Sequence, residues 1–252
     1  MAEGITEAGG KTRLYVTAAL GAGLSVPLSG PQAHYLLHVM RARAGQRVML
    51  FNGRDGEWLA EIDAITKRGV TLTCRTQTQS QAAVPDLWLV FAPIKKTPSD
   101  YLTQKATELG VTLLQPVMTR RTIVARVNAE RMAANAIEAA EQSGRLSVPE
   151  IGETVSLEKL LAGWPNERRL FFCDEAGATA TACDADPLAK AARPAPAAIL
   201  TGPEGGFDPA ERALLRGLSF VTPVTLGPRI LRADTAALAA LAIWQSVKGD
   251  WV

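Results

Sequence analysis

Histidine and cysteine are scarce in this 252-residue chain, which holds two of the first and three of the second. Cys74, Cys173 and Cys183 are odd in number, widely scattered and without Cys-x-x-Cys spacing. That excludes a disulfide framework or zinc ribbon and makes a reducing cytoplasm the simplest setting. His34 and His38 enclose Tyr-Leu-Leu, with no zinc-protease glutamate and no third ligand nearby, so no metal is expected. Long apolar runs are also missing. The longest, Ala236–Trp244, spans nine residues, whereas a membrane helix needs roughly 20. Met1–Gly10 carries Glu3 and Glu7 and no apolar stretch, so a secretory signal is not expected there. No charge of one sign dominates: 27 basic against 25 acidic residues leave +2, too little for a protein that holds nucleic acid by sheer charge. What is present is ordinary, 47% apolar and 21% charged, which excludes disordered, collagen-like and coiled-coil chains. The length suits one large domain or two modest ones.

Position is more informative than the total. Residues 1–84 hold nine basic and six acidic side chains, a net of +3, and the remaining 18 and 19 give −1. The segment 11–54 contains Lys11, Arg13, Arg41, Arg43, Arg47 and Arg54 and no acid. Such a block suits a phosphate-facing surface, or else a solvated face neutralised from elsewhere in the fold. The same region reads as short strands at Arg13–Val16, Arg47–Phe51, Glu57–Ile62 and Val70–Cys74, separated by Asn52-Gly53 and Asp55-Gly56 turns. One helix over His34–Arg41 interrupts them, and the pattern predicts a small β-barrel over residues 1–78. Gln77–Pro85 reads as a linker.

Beyond it, residues 85–252 change rhythm. Strands at Leu87–Ala92, Val111–Val117, Leu170–Cys173, Ala197–Thr201 and Val221–Leu226 alternate with helices at Ser99–Leu109, Ala129–Ser143 and Ala233–Lys248. Asp208-Pro209-Ala210-Glu211 is a further helix start, with a capping acid, a first-turn proline and a glutamate three residues on. Alternation of this kind predicts an α/β domain with a mainly parallel sheet. The Ala/Pro-rich stretch Ala191–Ala198 reads as a surface loop.

Two loops leave predicted strand ends, where open α/β sheets bind ligands. Thr201-Gly202-Pro203-Glu204-Gly205-Gly206-Phe207 has three glycines in five residues, which lets backbone N–H groups approach a ligand. No Gly-Lys-Ser/Thr follows, so it is not a P-loop; a tight turn into the Asp208 helix is the alternative. Leu226-Gly227-Pro228-Arg229-Ile230-Leu231-Arg232-Ala233-Asp234-Thr235-Ala236 gathers two arginines, an acid and a hydroxyl around an apolar pair. Asp234 or Thr235 could cap the last helix, while the apolar pair suits an adenine ring and the arginines an anionic partner.

Gly202-Pro203-Glu204-Gly205-Gly206 followed by Leu226-Gly-Pro-Arg-Ile-Leu-Arg-x-x-Thr-Ala resembles the RsmE family of the SPOUT superfamily, bacterial methyltransferases for N3 of a uridine in 16S ribosomal RNA. Arg13-Leu-Tyr-Val, His34-x-x-x-His38-Val-Met-Arg41, Gln104-Lys105-Ala-Thr-Glu108-Leu-Gly110 and Glu141-Gln142-Ser-Gly144-Arg145 also match. The chain departs from the pattern at Asp234, where a glutamate is usual, and at Ser143, where some relatives have cysteine. The resemblance implies a PUA-like β-barrel ahead of a C-terminal α/β SPOUT domain tied in a trefoil knot, a cytoplasmic homodimer, and S-adenosylmethionine as cofactor. It places the cofactor loops at Phe172–Glu175, Leu200–Gly206 and Leu226–Leu231, with Leu200, Thr201, Gly202, Pro203, Glu204, Gly205, Gly206, Leu226, Gly227, Pro228, Ile230, Leu231, Thr235 and Ala236 as contacts.

Within that frame Arg232 is expected to stabilise a uridinate and Asp234 to accept the N3 proton or orient Arg232, with Glu204 near cofactor or substrate. Arg13, Arg41, Arg43 and Arg47 are expected to hold the phosphates of 16S RNA within the small ribosomal subunit. The alternatives are a related SPOUT enzyme acting on transfer RNA or a ribose 2′-hydroxyl, and a non-catalytic RNA-binding factor.

Overall fold

A computed structural model describes residues 12–67, 69–175, 180–181 (backbone only) and 195–251. Met1–Gly10, Cys183 and the first half of the Ala191–Ala198 stretch lie outside the described residues. The chain divides into two units, Met1–Ala82 and Ala83–Val252.

Alternating apolar positions build the first unit from β1 (Arg13–Tyr15), β2 (Ser25–Leu28), β3 (Arg47–Phe51), β4 (Glu57–Thr66) and β5 (Gly69–Gln79). They lie in the order β1-β3-β4-β5-β2, with β1 parallel to β3 and the other pairs antiparallel. Inward residues Val26, Leu28, Val48, Leu50, Ala60, Ile62 and Leu72 meet in a single cluster. The β4–β5 ladder slips register at three places, and such bulges add the twist that bends a small sheet around its core.

Three features differ from the expectation. β2 escapes notice because Pro27 interrupts it, which an edge strand tolerates. β5 runs on to Gln79, opposite Glu57, so the expected linker begins only after it. The helix expected over His34–Arg41 starts earlier, as α1 (Gly30–His34) with Pro31 in its first turn, and continues as a π-helical turn over Tyr35–Val39. Arg41 lies beyond it.

The second unit contains β6 (Leu87–Phe91), α2 (Lys96–Glu108), β7 (Leu113–Met118), α3 (Ala129–Ser143), β8 (Glu150–Ile151), β9 (Val155–Ser156), α4 (Leu157–Ala162), β10 (Arg169–Cys173), β11 (Ala180–Thr181), β12 (Ala197–Thr201), α5 (Pro209–Arg216), β13 (Val221–Thr225) and α6 (Ala233–Lys248). The sheet order is β11-β13-β10-β12-β6-β7-β8, all parallel, with β9 also pairing β7. Its near-continuous apolar strands are covered on both sides, as a parallel sheet requires. Leu87, Leu89, Phe91 and Ile199 pack against Leu102, Ala106, Met132, Leu241 and Trp244. Val90, Leu170, Phe172, Ala198 and Leu200 face the other way, onto Leu157, Leu161, Trp164, Phe207 and Leu215. α4, β8, β9 and β11 were not foreseen, since six and two residues are too few to display a period. Among the described residues no helix is long and apolar enough to cross a membrane. The order β13-β10-β12 sets three strands side by side, and their C-terminal ends open onto one edge of the sheet.

Candidate active site

The loop after β10 is anchored by charge. Asp174 is buried, accepts a 2.8 Å hydrogen bond from Arg216 Nε and lies 3.3 Å from Arg212 Nε. A carboxylate taken so far out of water needs such partners. They leave its neighbours Cys173 and Glu175 on the wall of a cleft. Burial pushes the Cys173 thiol up to about 12, so it stands there as a neutral, non-nucleophilic group.

The glycine loop after β12 is shaped by close approach. Gly206 donates to the Pro203 carbonyl at 2.9 Å and has φ of 65°, in the left-handed region that favours glycine. A Cβ there would sit 2.5 Å from Glu175 Oε1, and one at Gly202 would sit 2.6 Å from the Phe207 ring. α5 then starts on a capping box: Asp208 accepts from Ala210 N at 3.0 Å, and Asp208 N donates to Glu211 Oε2 at 3.1 Å.

Glu211 is itself buried, and its other oxygen accepts the Arg120 backbone N–H at 2.8 Å. Arg120 Nη1 also reaches Asp208 at 3.2 Å, and Arg121 Nη1 donates to the Gly205 carbonyl at 3.1 Å. The loop between β7 and α3 is thereby stapled to the glycine loop. Sequence reasoning missed these residues because they lie 84 to 91 positions from their partners. The available signal was a basic pair directly after a strand.

The third loop, after β13, turns at Gly227, whose φ is 101°. Ile230 is 85% exposed, with Arg229 and Arg232 exposed on either side. Arg232 itself occupies the cap position of α6 without a side-chain cap bond, so neither Asp234 nor Thr235 is the cap. Asp234 stands in the first helical turn and accepts from Thr235 N at 2.8 Å. Its carboxylate is thus turned to its own helix end, and the expected orienting contact with Arg232 is not formed.

Together the three loops line two adjoining open clefts that share Cys173, Glu175, Ile230, Leu231 and Ala236. The expected residues Leu226, Gly227 and Pro228 line the smaller cleft, and Thr201, Gly202, Pro203, Glu204, Gly206 and Arg232 the larger. Leu200 does not reach either: it is fully buried, on the strand face that packs into the core. Gly205 presents its carbonyl to Arg121, while Asp234 and Thr235, in the first turn of α6, do not line either cleft. Phe207 and Ala233 join the lining unforeseen.

In the N-terminal unit Arg41, Arg43 and Arg47 are exposed. Arg13 is not available for a phosphate as expected. Its Nε bonds Glu57 at 2.6 Å, its guanidinium lies 4.5 Å over the Phe51 ring, and the side chain is 11% exposed. Glu57 in turn accepts from Thr78 Oγ1 at 2.8 Å, completing an internal polar cluster. Among the described residues, no group of three or more His, Cys, Asp or Glu could hold a metal ion.

Comparison with known proteins gives consistent findings. The family model of an RNA methyltransferase domain matches residues 80–245, and that of an RNA methyltransferase PUA domain matches residues 28–73. The ribosomal RNA small subunit methyltransferase E of Rickettsia conorii is 32% identical over 91% of this chain and 93% of its own. Its counterpart in Synechocystis is 31% identical over 86% and 72%. The Neisseria gonorrhoeae enzyme of that name, solved with S-adenosyl methionine, superposes with a TM-score of 0.84 at 28% identity, over 96% of this chain and 100% of that one. A Legionella pneumophila protein solved with the same cofactor gives 0.83 at 28% identity, covering 95% and 99%.

Proposed function

Because the chain belongs to the RsmE family of SPOUT RNA methyltransferases, we propose that it methylates N3 of a uridine in 16S ribosomal RNA, using S-adenosylmethionine. The observation that carries this reading is the joint cleft of the three loops at the ends of β10, β12 and β13. The cofactor is aromatic at one end and cationic at its sulfonium and ammonium, and the cleft walls answer both. Leu226, Ile230, Leu231 and Ala236 offer an apolar slot, and Glu175 and Glu204 add carboxylates on the same wall system. Gly202 and Gly206 keep that space open where side chains would collide.

The bound cofactor would supply an electrophilic methyl group. The chain must do the rest, since neutral uridine is a weak nucleophile at N3. Arg232, exposed at the cleft mouth, stabilises the uridinate oxygens as the N3 proton leaves. Asp234, two residues on, accepts that proton after turning from Thr235 N. N3 lies on the Watson–Crick edge, so the target base must be unpaired or flipped out. The resemblance also supplies a trefoil knot, a cytoplasmic homodimer, and a small-subunit substrate. Ile230, at 85% exposure, is the apolar side chain that a second subunit would cover.

The decisive experiment treats small subunits from a deletion strain with purified protein and labelled cofactor, then digests the 16S RNA for mass spectrometry. N3-methyluridine at one site is expected. A ribose methyl instead, or methylation of transfer RNA alone, would identify the related enzyme class, and no cofactor binding would leave an RNA-binding factor.

A further inference from the structure

The segment from His34 to Arg43 combines features that the methyl-transfer site does not use. The π-helical turn Tyr35–Val39 closes with Met40 N donating to Tyr35 O at 3.0 Å. Turns of this kind are uncommon and concentrate at functional sites. Arg41 follows with φ of 50°, the one non-glycine residue in the left-handed region among the described residues. Its strained backbone lets Ala42 N reach Leu36 O at 2.8 Å, a closure that glycine would make without cost. The outward face carries His34 and His38, whose ring centroids are 4.7 Å apart, with Tyr35, Val39 and Met40, which are 38%, 61% and 43% exposed. Leu36 faces inward and anchors the turn in the core. Arg41 and Arg43, both exposed, follow the turn directly, and residues 11–54 contain no acid, although Arg47 on β3 pairs opposite Glu61.

Rings and apolar side chains raised from a basic field are the chemistry that holds unpaired nucleobases, each base stacking while its phosphate meets an arginine. A duplex, whose bases are already stacked, would gain only the phosphate contacts. We propose that the His34–Arg43 turn is a stacking platform for unpaired nucleotides of the substrate RNA. The proposal rests on the RNA-methyltransferase reading and adds the conformation of RNA that the N-terminal unit selects.

The test uses the full-length protein with a fluorescein-labelled oligouridine and, as comparison, a duplex of equal length. His34→Ala/His38→Ala should weaken single-strand binding roughly tenfold, the scale of losing a stacking contact. Duplex binding and the salt slope should hardly change, and His34→Phe/His38→Phe should retain the affinity. Arg41→Gly should fold at least as stably yet bind the strand several-fold more weakly, with a salt slope smaller by roughly one phosphate contact. Unchanged strand binding in the alanine pair, or equal loss for strand and duplex, would overturn the platform. Cofactor titration and methyl transfer by the wild-type protein separate the two readings. If these persist while the platform fails, the enzyme reading stands; if both vanish in the wild type, that reading has failed instead.

Discussion

At the residue scale, the proposed mechanism asks Arg232 and Asp234 to divide what a single base could not do alone. Arg232 is an exposed cation at the mouth of the larger cleft, and Asp234, in the first turn of α6, accepts from Thr235 N. Arg232→Ala is expected to lower kcat by at least about 100-fold, the size of losing one preorganised oxyanion donor. Its cofactor dissociation constant should stay within a few-fold, measured by calorimetric titration. Normal turnover would remove Arg232 from the transition state. Asp234→Asn tests the proton path: a loss of single-turnover rate is expected, and a near wild-type rate at every pH would exclude Asp234 as the base. The family resemblance singled out both positions; Arg232 lines the larger cleft, whereas Asp234 does not. Arg13 was misleading for a different reason. Its partner Glu57 is 44 residues away, and only folding brings the carboxylate under it and turns a surface cation into an internal ion pair.

At the scale of elements, strands with strong local patterns could be read closely, and α3, α6 and β12 have the expected bounds. What stayed hidden were contacts between elements. The staple formed by Glu211 is the clearest case, since one buried carboxylate takes an N–H from Asp208 with one oxygen and an N–H from Arg120 with the other. Glutamine at this position has only one acceptor oxygen, so one of the two amides must lose its partner. Glu211→Gln should therefore destabilise the fold by roughly 1–3 kcal/mol, the cost of an unsatisfied buried group, read from the urea midpoint. The freed loop should also loosen the glycine turn through Arg121 and raise the cofactor dissociation constant. Full stability in this variant would show that the staple contributes nothing. Gly202→Ala probes the same loop from inside. With a Cβ 2.6 Å from the Phe207 ring, either the ring or the turn must move, and loss of cofactor binding is the expected result.

At the scale of the whole molecule, the near-neutral charge of +2 conceals a basic first part of +3 beside a second of −1, divided after residue 84. Arg43 and Arg47 are exposed in the N-terminal unit, whereas the described residues that line the two clefts belong to the C-terminal one. If phosphates are held by the first unit, removing two of its cations must weaken RNA binding through fewer released counterions. The double variant Arg43→Ala/Arg47→Ala is therefore expected to flatten the plot of log affinity against log salt by about 1.4 to 1.8, at roughly 0.7 per contact for a single strand and 0.9 for a duplex. Fluorescence anisotropy over a salt series measures that slope. Cofactor affinity, read on the same preparations, should be unchanged. A parallel loss of both would mean that the arginines support the fold. An unchanged slope with weaker binding would place the phosphate contacts elsewhere, and the concentration of positive charge in the first 84 residues would then be a solvated face.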